Sequence, residues 1–115
     1  MEKNVKMSLL CQIYGKLLTE KQYLFLDDYY NNDLSLSEIA ENNEITRQAV
    51  RDILKKGGQK LLEYEQKLEI MEKTLQQEQV IAEVLSKITK IKSTSSDKKV
   101  ASILDEIRVE LSGLV

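Results

Sequence analysis

Apolar residues return along this chain in steps of three and four, with polar capping residues between the runs, so the pattern predicts an all-α protein of five or six helices. Val5, Leu9, Leu10, Ile13 and Leu17 give the first segment one apolar face and predict a helix from about Lys3 to Tyr14, with Gly15 at its end. Thr19 is placed to cap a second helix, Gln22 to close a capping box, and Leu18 to staple onto Tyr23. That helix presents Tyr23, Leu26, Tyr29 and Tyr30, and the turn-tolerant run Asn31-Asn32-Asp33 stops it. Ser35 and Glu38 form a second capping box before a helix with room for two turns, ending near Asn42. Thr46 then caps a helix that carries Arg47 to Lys56, and Gly57-Gly58 is expected to weaken or bend the chain beyond Lys56.

The second half is patterned differently. Leu61, Tyr64, Leu68, Met71 and Leu75 follow heptad spacing, as do Ile81, Val84, Ile88 and Ile91, but the two stripes are out of register across Gln76-Gln77-Glu78-Gln79. A stutter, bend or break is expected there, because an unbroken helix over 59–92 would be about 50 Å long and would project from so small a domain. Ser93-Thr94-Ser95-Ser96 reads as a polar linker, with Ser96 as the cap of a last helix. Val100, Ile103, Leu104, Ile107, Leu111 and Leu114 give that helix the most regular apolar face in the chain. Such a face must be buried; the 80–92 stripe in a helical hairpin, and a second subunit over whatever remains, are the expected cover. The division expected is a helix-turn-helix domain over 1–58 and a hairpin-forming, dimerising region over 59–115.

Composition narrows the function. At 115 residues the chain has room for one small domain with an appended helical element, and roughly two-thirds of its extended surface can be buried. Proline and tryptophan are absent and there are only 4 glycines, which suits helices. With 0 histidines there is no imidazole base, proton shuttle or metal ligand, so most hydrolase mechanisms are excluded. The single cysteine, Cys11, lies beside the first apolar stripe and reads as a small buried or half-buried thiol; a lone thiol and no signal peptide point to the cytoplasm. Glu63, Glu65, Glu69, Glu72 and Glu78 alternate with Lys67 and Lys73 in the manner of a solvated helix surface, and no phosphate-binding loop is present. No catalytic residue, cofactor, metal site or membrane span is expected.

Ala40, Ile45, Val50 and Ile53 are spaced as a helix-turn-helix requires, with a small residue where two helices meet and inward positions on the second. With Ala49, Val50, Ile53 and Leu54 inward, Arg47, Gln48, Arg51, Asp52 and Lys55 face solvent. The candidate nucleic-acid-binding residues are Thr46, Arg47, Gln48, Arg51, Lys55 and Lys56: arginine can bridge guanine, glutamine can pair with adenine, and the lysines suit phosphates. Over 46–60 five cations stand against Asp52, yet the whole chain carries a net charge of −2, so any phosphate-driven affinity is modest and salt-sensitive or needs dimerisation. Basic residues at this spacing also serve simply as a wet helix face. The turn is unusual in having Asn43-Glu44: either Glu44 adopts a left-handed conformation at a cost of about 1 kcal/mol, or Asn43 takes it. Helical spacing of the tyrosines favours core packing over base stacking.

The segment LTEKQYLFLDDYYNNDLSLSEIAENNEITRQAVRDILKK resembles the fourth conserved region of bacterial sigma factors, a helix-turn-helix that grips promoter DNA with its last helix. Through SLSEIAE, TRQAV and LLEYEQKLE, the whole length resembles the YlxM-like family, in which a sigma-like helix-turn-helix precedes long helices. The resemblance implies a cytoplasmic protein encoded beside the signal recognition particle GTPases and regulating that pathway, with the particle's GTPase or RNA as partner. A DNA-binding transcriptional regulator that dimerises through its last helices is the other reading, with duplex DNA as partner.

Overall fold

The computed structural model describes residues 1–94 and 96–114, which hold six α-helices: α1 Lys3–Tyr14, α2 Glu20–Tyr30, α3 Leu36–Asn42, α4 Arg47–Leu68, α5 Ile70–Thr94 and α6 Lys98–Ser112. A 3-10 turn, Gly15–Leu17, joins α1 to α2. The chain forms two compact units, Met1–Met71 and Glu72–Val115. Among the described residues no helix is long and apolar enough to cross a membrane.

Local signals set the starts of α2, α3 and α4. Thr19 with Gln22 and Ser35 with Glu38 form the two expected capping boxes, and Thr46 Oγ1 accepts from the Ala49 amide at 3.0 Å. The chain leaves α2 through Asp33, whose φ is 55°, while the Asn31 and Asn32 side chains donate back to Asp27 and Asp28. Between α3 and α4 it is Glu44 that takes the left-handed conformation, at φ 54°, and not Asn43, at φ −109°. Asn43 is held otherwise: its side-chain amide donates to the Ile39 carbonyl at 2.8 Å, beside its own backbone N–H, which donates to the same oxygen at 3.2 Å.

The core forms where α2, α3 and α4 meet. Phe25, Ile39, Ala40 and Val50 are buried together, with Ile45, Ile53 and Leu54 packed against them, so the helix-turn-helix spacing is realised. On α1 the buried face is Met7, Leu10, Cys11 and Tyr14, rather than the predicted Val5, Leu9, Leu10, Ile13 and Leu17. Val5 is 48% exposed and Leu17 60%, because the face carrying the bulkier Met7 and Tyr14 is the one turned toward α2 and α4.

The glycine pair does not end the helix: α4 continues through it to Leu68, so the expected boundary at 58 falls inside a helix and the division comes at Met71 instead. Gly57 and Gly58 are buried. A Cβ on Gly57 would stand 2.8 Å from Leu26 Cδ1, so the missing side chain lets α2 pack close against α4. Nor does the helix break at Gln76–Gln79, which α5 spans without interruption. It breaks at Glu69, left-handed at φ 54°. The buried Tyr14 hydroxyl donates to Glu65 Oε1 at 2.7 Å and accepts from the Ile70 amide at 3.1 Å, while the same Glu65 oxygen accepts from the Met71 amide at 3.0 Å. Two N–H groups at the start of α5, which would otherwise lack partners, are thereby satisfied by side chains from α1 and α4.

In the second unit Ile81 and Ile88 are buried on one line of α5. α6 is capped by Asp97, which accepts from the Lys99 amide at 2.9 Å, rather than by Ser96; α5 extends through Thr94, and Ser95 of the expected linker lies outside the described residues. Lys92 Nζ reaches Asp105 Oδ1 at 2.6 Å and holds that carboxyl below the usual range. This contact joins the last turn of α5 to the middle of α6.

Candidate nucleic-acid interface

The candidate site is the outer face of α4, and its orientation follows from what α4 buries. Val50, Gly57 and Leu61 lie inward, which turns Thr46, Arg47, Gln48, Arg51, Lys55 and Lys56 to solvent, all of them exposed. Steps of four residues divide that face into two ridges. One is Arg47, Arg51 and Lys55, cations about 6 Å apart along the axis at 1.5 Å per residue. The other is Gln48, Asp52 and Lys56. Thr46 stands at the head of the helix, where its oxygen is engaged by the Ala49 amide, so it fixes where the ridges begin.

The two ridges are not equivalent. Gln48 Nε2 donates to Asp52 Oδ1 at 3.1 Å, so the amide suited to reading adenine is already engaged, and a carboxylate occupies the centre of the exposed face. Sequence reasoning placed both residues outward without pairing them, although their i, i+4 spacing is the signal for such a pair. Arg47 and Arg51 form no ion pair among the described residues and are available to an outside anion.

The surroundings are acidic. Between Lys21 and Arg47 the sequence has no lysine or arginine, and Asp33, Glu38, Glu41 and Glu44 are exposed on α3 and its flanks. α3 packs directly against α4, so the cationic ridge borders a negative surface. When a helix-turn-helix docks on a duplex, the first helix crosses the backbone, where these carboxylates would meet phosphates.

The tyrosines pack with the fold. Tyr14 is 1% exposed, its ring 5.8 Å from that of Tyr64, and Tyr29 meets Tyr30 edge to face at 4.9 Å. Burial pushes the Tyr14 hydroxyl above its ordinary pKa, and the bond to Glu65 adds to the effect. Cys11 is buried, and burial followed by the nearby Asp27 charge pushes its thiol up to about 11, which suppresses the reactive thiolate. No group of three or more cysteine, aspartate or glutamate side chains suited to a metal ion occurs among the described residues.

Comparison with known proteins agrees with this architecture. The profile of UPF0122, the YlxM / p13 like helix-turn-helix proteins, matches residues 1–103. A UPF0122 protein of Clostridium acetobutylicum is 39% identical over 112 residues, 97% of each chain. One from Clostridium kluyveri is 47% identical over 108 residues, 94% of each chain, and one from Acetivibrio thermocellus is 40% identical over 115 residues, covering 100% of this chain and 98% of its own. With the helix-turn-helix core in place and these matches spanning nearly its full length, the chain belongs to the UPF0122 family of YlxM / p13 like helix-turn-helix proteins.

Proposed function

We propose that this protein is a non-enzymatic accessory or regulatory factor of the signal recognition particle pathway in the cytoplasm, and that the α4 face docks on the particle's RNA or its GTPase. The observation that carries the docking face is the exposed Arg47–Arg51–Lys55 ridge bordered by acidic α3. One line of cations about 6 Å apart can follow a single phosphate track. The carboxylates beside it repel the second track that a duplex would bring. The tie between Gln48 and Asp52 further weakens base readout in a major groove.

The alternative, a DNA-binding transcriptional regulator, is favoured by one feature: Arg47 and Arg51 project from the first turns of α4, where recognition helices meet base edges. Salt-titrated binding to duplex DNA, to the particle's RNA and to its GTPase separates the two. The proposal expects RNA or GTPase binding that Arg47→Ala and Arg51→Ala each weaken several-fold, and a change in GTP hydrolysis when the protein is added. For RNA, three phosphate contacts imply a slope of about −2 in log K against log salt. Sequence-selective duplex binding lost in Arg51→Ala, with neither RNA nor GTPase bound, overturns it.

A further inference from the structure

The second unit carries an apolar face that its own helices leave open. On α5, Val80, Val84 and Ile91 lie roughly a quarter turn from the buried line through Ile81 and Ile88. On α6, Val100, Ile103 and Ile107 lie roughly a quarter turn, in the same rotational sense, from the half-buried line through Leu104 and Leu111. In two antiparallel helices the same rotational sense places both sets on one side of the pair. α6, despite its regular stripe, has no fully buried residue: Ile103 remains 49% exposed, as does 50% of Ile91. Together with Leu114 these side chains expose on the order of 500 Å² of apolar surface, about the apolar two-thirds of the roughly 800 Å² that one partner contributes to a standard interface.

Charge identifies the occupant. Around the connection between the helices the chain carries Lys87, Lys90, Lys92, Lys98 and Lys99 against Asp97 and Asp105, the latter paired with Lys92. Toward the opposite end stand Glu78 and Glu83 on α5 and Glu106 and Glu110 on α6 against Arg108, all exposed. The hairpin is positive at its connection and negative at its open end. We infer that the open face is covered by the same face of a second copy of this chain, the two hairpins antiparallel about a two-fold axis, so that each connection lies over the partner's open end in a four-helix bundle. A parallel dimer would set lysines against lysines. The antiparallel one brings Lys87 and Lys99 at the rim of the face toward the partner's Glu83 and Glu110, and a self-complementary charge pattern of this kind is what an isologous two-fold contact requires.

Sedimentation of the full chain at tens of micromolar tests this. The wild type sediments as a dimer, and Ile103→Asp with Ile107→Asp gives monomer with its far-UV circular dichroism retained. Lys87→Glu with Lys99→Glu weakens the dimer roughly tenfold, because each reversed charge meets a like charge twice by symmetry. Adding Glu83→Lys and Glu110→Lys to that variant restores wild-type affinity. A monomeric wild type overturns the inference, as does a quadruple variant no tighter than the double. If the isoleucine variant loses its helical signal, the four surface substitutions decide the question alone.

Discussion

Replacing Tyr14 with phenylalanine removes one oxygen and, with it, both bonds that close the joint between α4 and α5. The hydroxyl is buried, donates to Glu65 at 2.7 Å and accepts from the Ile70 amide at 3.1 Å. A hydrogen bond to a charged group contributes about 1.5–3 kcal/mol, and a neutral one about 1 kcal/mol where water cannot replace it. Ile70 is 42% exposed, so water recovers part of the second bond, and the net loss comes to about 2 kcal/mol. In urea, where the slope is about 1–3 kcal/mol per molar, this lowers the midpoint by about 1 M. Because the chain has two units, the probe must report on the first alone. Pulse labelling of Cys11, one turn from Tyr14 on the same buried face, does so. Tyr64→Phe is the control: its hydroxyl meets the Leu17 carbonyl at 3.5 Å in an exposed position, and its loss shifts the midpoint by under about 0.2 M. A Tyr14→Phe shift no larger than that control refutes the role assigned to the joint.

The turn offers a paired comparison. Glu44→Gly relieves a left-handed side chain and raises stability by up to about 1 kcal/mol, whereas Asn43→Gly loses the side-chain bond to Ile39 while keeping the backbone one, and lowers it by about 0.5–1 kcal/mol; urea unfolding of both variants checks the difference in sign. Gly57→Leu forces atoms into the position of Leu26 Cδ1 and costs about 1–3 kcal/mol, read as a lower melting temperature. Thr46→Ala removes the cap of α4 and costs about 1 kcal/mol in the same assay. The Cys11 thiol is raised from 9.0 to about 11 in the fold, so its contribution to stability is complete below pH 9 and is lost as pH rises through about 11. Stability measured across that window falls more steeply in the wild type than in Cys11→Ala, and native Cys11 reacts with a thiol reagent far more slowly than it does in urea.

In the helix-turn-helix core, decisions that depended on neighbours within one or two turns were legible in the sequence, although the choice between Asn43 and Glu44 in the turn, and the cap of α6 at Asp97 rather than Ser96, were not. Both capping boxes, the Thr46 cap and the Ala40–Ile45–Val50–Ile53 spacing place α2, α3 and α4, and they turn Arg47, Arg51 and Lys55 outward, because a capping residue and a period of 3.6 act over one or two turns. The Gln48–Asp52 pair was legible in the same way from its spacing, but spacing alone does not show whether two side chains engage each other or an outside partner.

Other choices belonged to tertiary structure, and each turned on atoms far apart in the chain. α1 offers two apolar faces, and the one buried is the one that brings Cys11 and Tyr14 against the rest of the unit. Gly57 reads locally as a helix breaker, yet the close approach of Leu26 makes it a packing position inside a continuous helix. The long helix breaks at Glu69 and not at the glutamine run, because a hydroxyl at position 14 can satisfy an amide at position 70 only once α1 lies beside α4. A break exposes backbone N–H groups, and only a folded neighbour can supply the oxygens that make it stable.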